Sequence, residues 1–181
     1  LLTGNIGISH NRYPTHGGFS HGEVQPFWTS VPYGIALAHN GNLTNYQELT
    51  EEITKQDSRY LNTNSDTEVL LHLFADKLHE HKPPESSEEF FELLCSVVGS
   101  IFKKVKGAYS VTAMIIGKGL VVFRDPNGIR PLVKGERSNG NGGKDFIFAS
   151  ENSMFYSLGF KPKGTVLPGE LIYVNNEGQV F

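Results

Sequence analysis

Cysteine occurs once in the 181-residue chain, at Cys95, which excludes an internal disulfide framework and any metal site built from several cysteines. Long apolar runs are missing too. None approaches the roughly 20 residues of a membrane-spanning helix, and no signal-peptide pattern or lipidation motif is visible. Basic residues are not in excess: the net charge of −3 leaves no basic footprint for nucleic acid. The histidines lack the i, i+4 spacing of a helical zinc site, and no acidic or thiol companion stands at ligand spacing. These absences leave a soluble cytoplasmic protein that binds neither metal, membrane nor nucleic acid as the expectation. The chain is long enough for one domain with a real core. Leu1 is not a methionine, and Phe181 closely follows a turn. The expectation is one domain, residues 1–181, cut from a longer chain.

Strand-like segments come first and last, with helical patterns between them. Residues 6–13 and 33–39 read as short strands. The run "GAYSVTAMIIGKGLVVFRD" reads as two strands around a Gly117-Lys118-Gly119 turn. "RPLVKGER", "DFIFASE" and "GELIYV" add further strand signal, and residues 138–143 read as a loop. Three helix starts carry capping-box spacing: Thr44 with Gln47, Ser65 with Glu68, and Ser86 with Glu89. The second is followed by Val69, Leu70, Leu73, Phe74 and Leu78 at helical spacing, and the third by Phe90, Leu94, Val97, Ile101 and Val105. Pro83-Pro84 separates these two helices, and a short helix is expected near Asn152. This order departs from strict βαβ alternation and points to an α+β fold, with antiparallel sheets and helices layered outside them.

Four polar clusters hold the residues that could do chemistry. In "SHNRYPTHGG", Arg12 could hold a carboxylate through two parallel hydrogen bonds, although a surface salt bridge is the better reading of a lone arginine. In "AHNGN", Asn40 and Gly41 are the equipment of an oxyanion hole, a side-chain amide beside a backbone N–H. Taken alone, Asn-Gly reads better as a turn. In "NTNSDTE", Asp66 falls in a first helical turn, where the helix dipole favours an acid whatever its function. In "FRDPNGIRPL", Asp125 to Gly128 form a strong turn signal, and Arg124 and Arg130 flank it without an evident role. Together, an arginine for a carboxylate, an aspartate for an amine and an Asn-Gly donor pair would hold an α-amino acid. They would also stabilise a tetrahedral intermediate on its side chain. A nucleophile is missing. Cys95 reads as an inert core thiol in the middle of a helix, and His72, His79 and His81 read as helix-surface residues.

The segments "GNIGISHNRYPTHGG", "EVQPF", "PYGIALAHNGNLTN", "NTNSDTEVLL", "FRDPNGIRPL", "FASE" and "LPGELIYV" occur in the order of one family. Over nearly its whole length the chain resembles the glutaminase domain of the amidophosphoribosyltransferases, class II glutamine amidotransferases. The resemblance implies an N-terminal-nucleophile hydrolase fold, an αββα sandwich of two antiparallel sheets between helical layers, incomplete at its N-terminus. It implies that Arg12 holds the α-carboxylate of glutamine and Asp66 its α-amino group, and that the Asn40 side chain and Gly41 N–H form the oxyanion hole. Thr15 and His16 match carboxylate-contacting positions in the related glucosamine-phosphate synthases.

The implied reaction hydrolyses glutamine and supplies ammonia for 5-phosphoribosylamine formation in purine synthesis. The family's N-terminal cysteine nucleophile and its phosphoribosyltransferase domain lie outside the chain, so residues 1–181 are expected to be inactive alone. No cofactor is expected here. Magnesium belongs to the phosphoribosyltransferase domain, an iron–sulfur cluster is left open, and the full enzyme is expected to be a homo-oligomer. An asparagine synthetase-type glutaminase and a non-catalytic amino-acid-binding module are the alternatives. His39 is expected to be structural.

Overall fold

The computed structural model describes residues 4–11, 21–56 and 60–181. Arg12, Thr15 and His16 lie outside the described residues. The elements run β1 (Phe27–Thr29), β2 (Ile35–Leu43), α1 (Tyr46–Gln56), α2 (Asp66–His79), α3 (Ser87–Lys104), β3 (Gly107–Ile115) and β4 (Gly119–Arg124). They continue with β5 (Val133–Ser138), β6 (Lys144–Ala149), β7 (Lys161–Thr165) and β8 (Leu171–Asn175). Five strands form one antiparallel sheet in the order β1-β2-β3-β4-β8, and three form a second in the order β6-β5-β7. The fold is α+β.

Strict alternation along the strands of the large sheet builds two cores. Tyr109, Val111, Ala113, Ile115, Val121, Phe123 and Tyr173 join the apolar faces of the three helices. Val122, Ile172 and Val174 point the other way and meet Leu132 and Val166, with Phe146 and Phe148 of the small sheet packed alongside. The layers are therefore helices, large sheet and small sheet. The second helical layer implied by the resemblance is not among the described residues.

The helices form as their patterns predict. In α3, Ser86 caps the N-terminus by accepting from the Glu89 N–H at 3.1 Å, and Phe90, Leu94, Val97 and Ile101 are buried with the adjacent Val98. A cap contributes about 1 kcal/mol, and each buried side chain roughly 1.5–3 kcal/mol, so burial decides where this helix lies. Cys95 stands one residue beyond Leu94 on the helix and is exposed, not in the core. Its pKa is nevertheless raised, first by partial burial and then by Glu92. The other two capping boxes form differently from expectation. The first helix begins at Tyr46, so Asn45 and not Thr44 precedes it, and the Asn45 side chain ties to Lys104 and Lys106 across the fold. Ser65 caps α2 by accepting from Thr67 N–H, while the Glu68 carboxylate reaches past it to the Asn62 and Thr63 N–H groups, both at 2.8 Å. That buried Glu68 also lies 3.8 Å from the His72 imidazole, so His72 is partly buried and not a plain surface residue.

The strand expected over 6–13 is absent from its described part, residues 6–11. The strand expected over 33–39 runs on to Leu43, because β3 continues opposite it, from Asn40↔Ser110 to Leu43↔Gly107. Asn40-Gly41 is therefore strand and not turn. β1 and β7 had no apolar alternation to announce them, and the helix expected near Asn152 is a single 3₁₀ turn, Tyr156–Leu158.

Candidate active site

β2 carries two alternations at once. Even-numbered N–H groups near its end point to β3: the Thr44 N–H reaches the Lys106 carbonyl at 2.8 Å. Odd-numbered ones point the opposite way, to an edge left open among the described residues because β1 pairs only as far as Leu37. There the His39 N–H donates to Gln25 Oε1 at 2.7 Å and the Leu43 N–H to Asp66 Oδ2 at 3.0 Å. Gly41 sits between them with the same parity, so its N–H faces the same open edge. Only glycine fits. Its φ is 154°, and an added Cβ would fall 1.9 Å from the Ala108 carbonyl oxygen. Close approach of β3, not a turn, requires the glycine.

Asn40 has even parity, and its side chain faces the small sheet. Its Oδ1 accepts from Arg130 Nη2 at 2.5 Å, and its Nδ2 donates to Ser150 Oγ at 3.1 Å. Arg130 is delivered by the Asp125–Arg130 turn, which is anchored from two sides. Asp125 is fully buried and accepts N–H bonds from Tyr109, Asn127, Ile129 and Arg130. Arg124 donates to the carbonyls of Gly128, Arg130 and Val166. The two arginines that the sequence left without a role thus have one each. Arg124 staples the turn, and Arg130 meets the Asn40 amide.

Asp66, the first residue of α2, leans on the same strand end. Besides Leu43 N–H, it lies 3.7 Å from His39 Nδ1, and its side chain is 23% exposed. His39 is buried between β2 and α2, with Nδ1 3.2 Å from Thr67 Oγ1. Burial lowers its pKa most. Asp66 opposes that shift, and His10 and Arg130 add to it. The imidazole is therefore neutral in the fold at neutral pH, and joins strand to helix as a structural residue. An unfolded chain protonates this histidine near its ordinary value of 6.5, before the folded one does. Stability is thus fully present above that pH and falls as the pH drops through the folded-state pKa. The slope from this one group is at most about 1.4 kcal/mol per pH unit. Urea unfolding of wild type and His39→Gln at about pH 7.5 and pH 5.5 checks this. The variant should lose less stability on acidification.

A family model described as "Glutamine amidotransferase domain" matches residues 10–157. The chain belongs to this family. Curated relatives of the amidotransferase domain include the amidophosphoribosyltransferase of Escherichia coli K12, 47% identical over 99% of this chain. That of Schizosaccharomyces pombe is 42% identical over 98%. The chain covers 35% and 33% of those proteins, about a third of their length. Among solved structures, the glutamine phosphoribosylpyrophosphate amidotransferase of B. subtilis, complexed with ADP and GMP, aligns with a TM-score of 0.71 at 30% identity. It matches 95% of this chain and 33% of its own. A structure described as the allosteric regulatory enzyme of purine biosynthesis aligns with a TM-score of 0.73 at 31% identity, over 95% of this chain and 34% of its own.

The amidotransferase domain brings Asn40, Gly41 and Asp66 together at one strand end, as the sequence suggested. Arg130, Ser150 and Gln25 were not singled out from the sequence for this site. The "FRDPNGIRPL" motif was a signal for the first. Nothing in the sequence pointed to Ser150 or Gln25. Among the described residues no helix is long and apolar enough to cross a membrane.

Proposed function

We propose that this domain is the glutaminase portion of an amidophosphoribosyltransferase, releasing ammonia from glutamine for 5-phosphoribosylamine formation in purine synthesis. The observation that carries the proposal is the open edge of β2, where the Gly41 N–H is followed two residues on by Asp66 at Leu43. Two strand residues span roughly 6.6 Å, about the reach of glutamine from its α-ammonium to its side-chain amide. An amide oxygen on Asn40 and Gly41 thus leaves the ammonium within reach of the partly exposed Asp66 carboxylate. Arg12, with Thr15 and His16, is assigned the α-carboxylate.

A cysteine thiolate at the mature N-terminus, its own α-amino group taking the thiol proton, attacks the amide carbon. The charge that develops on oxygen is met by the Asn40 amide and the Gly41 N–H. The cysteine's α-ammonium passes its proton to the amide nitrogen as the C–N bond breaks, ammonia leaves, and water hydrolyses the thioester to glutamate. Cys95, exposed on α3 with a raised pKa, does not supply this thiolate. No metal or cofactor takes part in this portion. Ammonia passes to a C-terminal phosphoribosyltransferase domain that uses magnesium, in a cytoplasmic homo-oligomer.

Glutamate release by the full-length protein, with phosphoribosyl pyrophosphate as the ammonia acceptor, tests the assignment. Asp66→Asn should raise the glutamine KM by about tenfold to a hundredfold and change kcat less, as expected for a ground-state contact. Ammonia delivered to aspartate in the presence of ATP, and not to phosphoribosyl pyrophosphate, would overturn it.

A further inference from the structure

We propose that Arg130 is a positioning residue for glutamine hydrolysis, which sets the polarity of the Asn40 amide and so turns it into a donor. The inference rests on the glutaminase reading above. A carboxamide can be rotated by half a turn to exchange oxygen and nitrogen at almost no cost in shape, so an asparagine is a donor at a given spot only if something forbids the exchange. Ser150 cannot forbid it. Its hydroxyl, 3.1 Å from Asn40 Nδ2, accepts or donates equally well. Arg130 can, because a guanidinium has donors only, and its Nη2 lies 2.5 Å from Asn40 Oδ1. With the oxygen held there, both Asn40 N–H bonds point away from Arg130. One goes to Ser150, and among the described residues no acceptor takes the other.

Two further observations set Arg130 apart from an ordinary ion-paired arginine. Among the described residues no carboxylate pairs with it and no acceptor reaches its buried Nε. A positive charge beside the amide oxygen polarises the amide and strengthens its N–H as a donor. The turn that carries Arg130 is fixed independently of Asn40, by Asp125 and Arg124. The guanidinium is thus already in place, and is not recruited by the asparagine.

The test is a double-mutant cycle in the full-length protein, with glutamine kcat and KM measured for each variant. Arg130→Met should lower kcat by about tenfold or more, with little change in KM, and Arg130→Lys, which keeps a charged donor, should recover part of the loss. In an Asn40→Ala background the same Arg130→Met change should cost nothing further, because no amide is left to orient. An equal loss in both backgrounds, or a raised KM with a lowered unfolding temperature in both, would make Arg130 structural and overturn the proposal. So would an unchanged kcat in Arg130→Met. Wild-type activity together with an impaired Asn40→Ala enzyme keeps the glutaminase reading standing when only the arginine fails. A wild type without glutaminase activity removes both.

Discussion

Asn40→Ala in the full-length protein should lower glutaminase kcat by about two to three orders of magnitude, the usual loss for one oxyanion donor, and leave the glutamine KM nearly unchanged. The reason is placement. Asn40 projects toward the small sheet from the strand end at which Gly41 and Asp66 converge. On the proposed mechanism its N–H meets charge that exists only once the amide carbon has been attacked, so the lost interaction belongs to the transition state. Asn40→Asp separates donor from shape. The carboxylate keeps an acceptor for Arg130 and strengthens that contact, yet it has no N–H to offer. It should be as slow as the alanine variant while unfolding at a higher temperature than it. Steady-state kinetics and a thermal melt of the three proteins decide the matter. An unchanged kcat would return Asn40 to the role of a strand residue that ties the large sheet to the Arg130 turn.

Asp125→Ala should destabilise the protein by about 3–5 kcal/mol, the range for breaking a buried hydrogen-bond network. Asp125 is fully buried, and its carboxylate accepts from the N–H groups of Tyr109, Asn127, Ile129 and Arg130. Most buried anions need a cationic partner. This one is solvated instead by backbone dipoles, drawn from its own turn and from β3. Deleting it leaves several donors without acceptors, each costing roughly 1–3 kcal/mol where water cannot reach, although some will relax toward solvent. The N–H of Tyr109, itself fully buried, cannot do so easily. Denaturant unfolding gives the number directly, and a loss below about 1 kcal/mol would reduce Asp125 to an ordinary turn residue. The same variant should lose glutaminase activity as well, because the turn that presents Arg130 is the turn that Asp125 organises.

What could be read from the sequence divides along physical lines. The α2 and α3 stripes and the β3–β4 hairpin were legible because burial imposes a period on neighbouring residues. Asn40, Gly41 and Asp66 could be grouped as candidates because their residue types match one chemistry, and the fold places them at one strand end. β1 and β7 were not: "FWT" is three residues long, and "KPKGT" lies at an edge of the small sheet with little to bury. The contacts that complete the Asn40 environment span 90 residues to Arg130 and 110 to Ser150, and nothing local in a sequence encodes them. Cys95 failed for a simpler reason. A step of one residue rotates a side chain by about 100° around a helix, enough to move it off the buried stripe beside Leu94. Asn-Gly misled in the same way, since a dipeptide frequent in turns is equally what a strand needs where a neighbouring backbone comes too close for a Cβ.

The double alternation of β2 makes the site's tolerance of sequence change lopsided. Replacing one side chain alters one interaction, but inserting or deleting a single residue between Ile35 and His39 would reverse every assignment downstream of it. The imidazole of His39 would turn from the helices toward the small sheet, the amide of Asn40 from Arg130 toward α2, and the N–H of Gly41 from the open edge into the β3 ladder. The strand would survive as a strand while its chemistry was turned inside out. The length of this segment should therefore be more strictly held than the identity of most residues within it.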